Sequence, residues 1–458
     1  MSSRSVSRRS ILRSSAAFGL FTIIPGGLAR GFAANEKVNV GVIGVMGIGI
    51  SDRRELVNAG ANIVALCDVD RRSLEAAHKE HPQARTWVDF RKMLEEQKEI
   101  DAVMVCTPDH LHYPASMLAM KLGKHVCTEK PMAHSVWEAR QLGLAAKKYK
   151  VATQHDHEGH SSDGLRTAVE WIKSGAIGTV REVHIFTDRP IWPQGIAKRP
   201  PSKPAPPHLE WDLWIGPAPY REYHDGLHPF SWRGWWDFGT GALGDMGCHF
   251  WDSTVWALDL GHPTTVEAVQ EGNSEETGPN WSTVTYHFPA KGDRPAVKVT
   301  WWDGRRPNTD PNLKDKNGNM LKVVQNLPPR PEELEPDRRF PSNGSLFIGD
   351  KGKLLVADTN SPRLIPESKM KEFERPKPFI PRVPGGHKAE WLRACKGGPP
   401  CGSDFGLFGA HLAEVVLLGN LAIRTGRKIE WDGENLKATN CPEADRYIRR
   451  EYRKGWDV

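Results

Sequence analysis

Outside its first 34 residues the sequence carries no excess of either charge, and it contains neither an apolar run that reads as a bilayer span nor cysteines at zinc-ligand spacing. The leader holds five arginines (Arg4, Arg8, Arg9, Arg13, Arg30) and no acid, which accounts for all but +1 of the formal charge of +6. That excludes the concentrated basic face of a nucleic-acid binder. Seven scattered cysteines (Cys67, Cys106, Cys127, Cys248, Cys395, Cys401, Cys441) are an odd number and read as small buried hydrophobes. Only Cys395 and Cys401, six residues apart, leave a disulfide open. With 39% apolar residues and a mean hydropathy of −0.52, the 458 residues are expected to form a soluble protein of two or three domains.

The leader itself is patterned. Ser7-Arg8-Arg9-Ser10-Ile11-Leu12-Arg13, a mostly apolar stretch over 16–28, and small residues around Gly31-Phe32-Ala33-Ala34 resemble a twin-arginine signal. The expectation is export, a periplasmic or otherwise extracytoplasmic setting, and no stable membrane anchor after processing. Pro25, Gly26 and Gly27 interrupt the apolar part, which is too short for a span.

From residue 35 to 155, short β-branched runs alternate with helical segments, the pattern of a parallel sheet covered on both faces. Strands are expected at 38–43, 63–67, 102–106, 125–128 and 151–154. Asp89 caps one helix, and Ser135-Val136-Trp137-Glu138 forms a capping box for another. Residues 156–458 differ in character. A helix near 165–174, strands near 180–187, 283–288, 296–302, 345–348 and 354–357, and the Asp350-Lys351-Gly352 turn predict an α+β domain with a large, mostly antiparallel open sheet. A buried helix is expected over 405–424. Insertions fall near 190–235 and 303–341, the latter the expected mobile or substrate-capping loop. The fold class is therefore α/β: an N-terminal Rossmann doubly wound sheet followed by that second domain.

Three constellations carry chemistry. The first strand runs into Gly44-Val45-Met46-Gly47-Ile48-Gly49 and then a helix, the setting a dinucleotide fingerprint requires, although Met46 stands at the second glycine position. Asp68, 24 residues after Gly44, would accept from ribose hydroxyls and favours NAD, while Arg71 and Arg72 beside it leave NADP open. Thr107-Pro108-Asp109-His110-Leu111-His112 follows a strand and would line the crevice beside the nicotinamide ribose; His110 has an equally good reading as a capping or surface residue.

Lys130, in Thr128-Glu129-Lys130-Pro131, ends a strand at the carboxyl edge of the sheet, and its proline restricts the approach to an extended path. Asp245 and His249, four apart, share one helix face, so the carboxylate can orient an imidazole that takes a proton; a capping aspartate with a core histidine fits the spacing equally well. The cluster Gln154-His155-Asp156-His157-Glu158-Gly159-His160 invites a metal, but its ligands crowd one loop without helical spacing. No metal is expected, and His160 is taken as a substrate contact, with Arg233 and Trp236. Eleven of the 17 tryptophans fall between Trp192 and Trp302; they suit sugar stacking or a core.

The glycine turn 44–49, Thr107-Pro108 with His112, the run 119–126 leading into Glu129-Lys130-Pro131, and Asp245 with His249 together resemble the glucose-fructose oxidoreductase, inositol dehydrogenase and rhizopine-catabolism (Gfo/Idh/MocA) family. The resemblance covers about 37–261 well. It implies NAD(P) held by residues 44–49, Asp68, Thr107, Pro108, His112, Glu129 and Lys130, and a homo-oligomer through the C-terminal sheet. Lys130 would bond the reacting hydroxyl, His249 would take its proton, and Asp245 would support His249. The implied activity is hydride transfer between nicotinamide and a carbinol carbon of a sugar, polyol or sugar derivative. Glycoside hydrolysis or elimination by transient oxidation, and a non-catalytic nucleotide- or sugar-sensing module, are the alternatives.

Overall fold

The computed structural model describes residues 37–315 and 317–457, so the twin-arginine-like leader lies outside the described residues. Strands β1 (Asn39–Ile43), β2 (Asn62–Cys67), β3 (Arg85–Trp87), β4 (Ala102–Val105), β5 (His125–Glu129) and β6 (Thr153–Asp156) form a parallel sheet in the order β3-β2-β1-β4-β5-β6. The central strands are apolar on both faces because helices cover both: α1 (Ile48–Asn58), α2 (Arg71–Glu80), α3 (Phe90–Glu96), α4 (Asp109–Lys121) and α5 (Val136–Tyr149). The predicted caps form. Asp89 accepts from the Arg91 amide at 2.9 Å, and Ser135 and Glu138 exchange the two bonds of a capping box. Strand β3, exposed and three residues long, has no apolar signature and escaped the sequence reading.

The second sheet takes β7 (Val180–Phe186), β8 (Thr265–Glu271), β9 (Trp281–Phe288), β10 (Val297–Pro307), β11 (Val323–Gln325), β12 (Gly344–Gly349), β13 (Gly352–Ala357), β14 (Arg363–Ile365), β15 (Ile429–Asp432) and β16 (Lys437–Ala438). Its order is β14-β13-β12-β7-β10-β9-β8-β15-β16, with β11 beside β10; only β7 and β10 run parallel. Gly349 pairs with Gly352 across the Asp350-Lys351 turn, the expected hairpin. One face of this sheet packs on α6 (Asp163–Lys173), α8 (Gly241–Ala257) and α11 (Ala410–Thr425) in the largest apolar core.

Three features depart from expectation. Residues 303–341 do not cap the crevice. Strand β10 continues to Pro307, β11 pairs with it, and Leu327, Leu334 and Phe340 pack on the outer side of the sheet around Phe186 and Leu346. The 190–235 insertion, by contrast, folds back over the first domain through the short helix α7 (Trp211–Ile215). Leu209 bridges Asp70, and Arg71 pairs with Glu210. The C-terminal part also returns to the first domain: Trp391, Leu392 and Cys395 on α10 (Gly386–Cys395) pack beside β1 and β2, and Trp456 packs beside Phe90. Cys395 and Cys401 are both buried free thiols. The 405–425 segment is long and apolar enough to cross a membrane by length and composition, yet it is largely buried in protein as a core helix.

Candidate active site

A cavity of about 730 Å³ opens at the carboxyl edge of the parallel sheet, where β1 and β4 diverge. This is the switch point of an open α/β sheet, the usual ligand crevice, and the volume lies in the range of cofactor and substrate pockets. It runs from Asp68, Arg72 and Phe90 past Thr107 and Pro108 to Lys130 and Asp245, and ends against the insertion at Arg189, Trp192, Phe230 and Trp232.

Gly44 sits at φ +83° with its Cα so close to β4 that a Cβ would meet the Cys106 carbonyl oxygen at 2.6 Å. Gly49 packs equally tightly on the Gly44 carbonyl. Gly47, at φ +62°, starts α1 without a side-chain cap and faces open space; the Gly49 and Ile50 amides bond the Met46 and Gly47 carbonyls at 3.2 and 3.3 Å, so it is the Gly47–Ile48 end of the turn that can meet an anion. The missing second glycine is thus taken over one position later, and Met46 turns a partly exposed side chain onto the cavity rim beside Ile48. Val45 is wholly buried and, with Gly49, stands outside the cavity lining. The Val45 amide donates to Asp68 Oδ2 at 2.9 Å, and the Asp70 amide donates to Asp68 Oδ1 at 2.9 Å. Asp68 therefore locks the glycine turn and keeps a second lone pair on each oxygen for a ribose; burial pushes its carboxyl up to about 6.

At the other end Lys130 Nζ donates to Asp245 Oδ1 at 2.9 Å. Arg233 Nη1 lies 3.1 Å from the same oxygen and 3.2 Å from Asp109 Oδ1. Asp109 Oδ2 in turn accepts from the Thr240 amide and hydroxyl at 3.0 and 2.6 Å, fixing the start of α8. Burial opposes ionisation of Asp245, but the Arg233 and Lys130 cations hold its carboxyl well below the usual range. It is an anion clamped by two cations.

His249 stands one turn further along α8. Burial, then the Lys130 charge, pushes its imidazole down to about 3, so it is neutral and able to accept a proton. The expected bond from Asp245 does not form, because both cations compete for that carboxylate and take it. The cavity wall includes Asp245 and Met246 and stops short of His249.

Two supports brace the lysine from behind. His112 places Nδ1 2.7 Å from the Pro131 carbonyl and Nε2 2.7 Å from the Thr107 carbonyl, tying together the two loops that flank the crevice. Glu129 accepts from the Lys130 amide at 3.0 Å. Burial and the nearby Asp156 and Asp52 charges drive its carboxyl well above its ordinary value. Lys388 on α10 neutralises that group, bonding Asp52 at 2.9 Å and Asp156 as well.

Two of the three expected substrate contacts move. His160 is buried on Asp252 at 2.9 Å and stacks on Trp256, away from the cavity; Trp236 is buried and donates to Asn273 at 3.1 Å. Arg233 does line the cavity, as a structural partner of Asp245. Asp109 and Lys388 were missed. An acid in the first turn of a helix directly after Thr107-Pro108 was a legible sign for Asp109; a lone lysine 258 residues after Lys130 offered none. His110 is a buried structural residue, bonded to the Trp214 carbonyl at 2.9 Å.

The lining fits a dinucleotide. The uncapped helix start and the close glycine turn suit a pyrophosphate, and Thr107 Oγ1 is buried on the crevice without a hydrogen-bond partner. Residues 38–157 match the family model described as an oxidoreductase family with an NAD-binding Rossmann fold, and residues 175–335 match the model of that family's C-terminal alpha/beta domain. D-glucoside 3-dehydrogenase of Escherichia coli is 29% identical over 129 residues, 28% of this chain and 36% of its own length. The inositol 2-dehydrogenase/D-chiro-inositol 3-dehydrogenase of Lacticaseibacillus casei is 33% identical over 155 residues, 32% of this chain and 44% of its own length. The matches thus span well under half of these curated relatives. The WlbA dehydrogenase of Bordetella pertussis, solved with NADH and UDP-GlcNAcA, has the same fold: TM-score 0.58 at 18% identity, over 87% of this chain and 99% of that one.

Proposed function

Because the chain belongs to the Gfo/Idh/MocA oxidoreductase family, we propose that it moves a hydride between nicotinamide and a carbinol carbon of a sugar, polyol or sugar derivative. The observation that carries this is the Lys130 amine, clamped by Asp245 on the wall of the cavity that begins at the glycine turn. When bound, the nicotinamide supplies the hydride acceptor or donor. Gly44, Met46, Gly47, Ile48 and Thr107 would hold the dinucleotide, and Asp68 favours the unphosphorylated ribose of NAD. Lys130 donates to the reacting oxygen and stabilises negative charge there during oxidation. Neutral His249, one turn along α8 from Asp245 and just beyond the cavity wall, is the group nearest to hand to receive the proton. Trp192 and Trp232 line the far end of the cavity, where aromatic rings suit the C–H surface of a ring substrate, and the names of the two curated relatives support a sugar or cyclitol. The resemblance of residues 7–34 to a twin-arginine leader supports the further reading that this chemistry takes place outside the cytoplasm.

The test is incubation of the purified protein with NAD and a panel of glucosides and inositols, following reduced nicotinamide both free and protein-bound. The expected result is reduction with at least one member, abolished in Lys130→Ala with nucleotide still bound. Equal reduction by Lys130→Ala, or none by the wild type with any panel member, overturns the proposal.

A further inference from the structure

Two turns along α8 from Asp245, on the same stripe of the helix but beyond the cavity lining, two side chains of one turn meet a third from 92 residues away. His157 follows β6, His160 lies in the 3-10 turn Glu158–Ser161, and Asp252 comes from α8. They are 0%, 2% and 0% exposed. His160 Nδ1 lies 2.9 and 3.1 Å from the two Asp252 oxygens, and His157 Nε2 lies 3.3 Å from Oδ2. One donor atom of each falls within 4.8 Å of the others.

Simple hydrogen bonding explains only half of this. His160 is satisfied by Asp252, but neither ring nitrogen of the fully buried His157 has a hydrogen-bond partner, its approach to Asp252 being misaligned. An unpaired buried imidazole is costly. The donor spacing has another reading. Arms of about 2.0–2.1 Å in tetrahedral geometry set neighbouring donors about 3.3 Å apart. The ring of His160 stacks on Trp256 at 4.3 Å and Phe408 lies 4.7 Å away, an apolar shell around a polar knot. The other carboxylate cluster, Asp52, Glu129 and Asp156, is different: the Lys388 ammonium already supplies its cation.

We propose that His157, His160 and Asp252 bind a divalent cation of borderline softness, Zn2+ best matching two imidazoles and one carboxylate. The 154–160 loop alone crowds its ligands, which is why the sequence predicts no metal there; the third ligand arrives from 92 residues away. None of the three lines the cavity, so the ion is a positioning element. It pins the turn after β6 to the helix that carries Asp245 and His249. Water is the fourth ligand, since no fourth side chain completes the group among the described residues.

The test uses the full chain purified without a metal-affinity tag. Its metal content is measured by mass spectrometry, then metal-stripped protein is titrated with Zn2+ and, separately, Co2+. One equivalent of zinc, a melting temperature that falls on stripping and recovers with Zn2+, and tetrahedral ligand-field bands with Co2+ are expected. His157→Gln should weaken Zn2+ binding by at least about 100-fold, the upper end for loss of a mere outer-shell partner. If stripped wild type neither gains stability from Zn2+ nor shows those bands, or if folded His157→Gln binds Zn2+ as tightly, the site does not exist and Asp252 is an ordinary acceptor. Should the variant not fold, the wild-type titrations decide.

Discussion

Lys130 and Arg233 converge on one oxygen: Asp245 Oδ1 lies 2.9 Å from the first and 3.1 Å from the second. Two cations sharing an anion fix each other's positions, and only the lysine has nothing else to hold it. In Asp245→Asn the cations face each other without their counter-ion. Turnover should fall by roughly 10²–10⁴, the scale of a lost proton-transfer or positioning group, with NAD affinity within a few fold. Steady-state rates and nucleotide titration check this, and near-wild-type turnover would remove Asp245 from the machinery.

Arg233→Met leaves Asp109 and Asp245 facing across an apolar side chain. Breaking a fully buried pair costs about 3–5 kcal/mol; with Arg233 18% exposed, a loss of about 2–3 kcal/mol is expected. Denaturant unfolding measures it, and Arg233→Lys should recover part, because it keeps the positive charge but on a shorter stem than the one that brings Nη1 to both acids. A variant as stable as wild type would mean the arginine is idle.

The neutral state of His249 has a pH signature. Its pKa, pushed down to about 3 by burial and then by Lys130, leaves the free base present at every pH above about 5. The kcat/KM profile should therefore show no acid limb near the ordinary histidine value of about 6.5. In Lys130→Met the pKa of His249 rises, and a limb should move up from the acid side in whatever activity remains. A wild-type limb near 6.5 that disappears in His249→Ala would contradict the assignment.

The glycine turn yields a graded test. Gly44→Ala meets Cys106 at 2.6 Å from a left-handed backbone, whereas Gly47→Ala meets nothing within 4 Å. Left-handed strain alone costs about 1–2 kcal/mol, so Gly44→Ala should weaken NAD by well over tenfold and Gly47→Ala by less. Asp68→Ser should narrow the preference for NAD over NADP. Fluorescence titration with both nucleotides measures all three, and an unchanged preference in Asp68→Ser would assign the ribose to another group.

The Rossmann sheet was legible because its strands are short apolar runs with capped helices between them, and Lys130 because it ends one of those runs. The Asp245–His249 spacing placed both residues on one helix correctly, yet spacing cannot report that Arg233, from a proline-rich insertion, would claim the carboxylate. His160 looked like a crevice residue by proximity to β6. Its partner Asp252, 92 residues further on, and the stacking Trp256 both lie on α8, and only tertiary packing turns the ring toward them. The tryptophans do not divide cleanly: Trp211 and Trp235 are core residues of the insertion, Trp214 and Trp232 belong to that core and also line the cavity, and Trp192 lines the cavity outside that cluster.

Trp456 lies 6.0 Å from Phe90, with Arg91 4.2 Å above its ring, and lines the cavity beside Asp89. During synthesis the parallel sheet emerges early, but this part of the nucleotide crevice stays open until nearly all the described chain has left the ribosome. Full nucleotide affinity would then depend on packing between residues more than 360 positions apart in the chain.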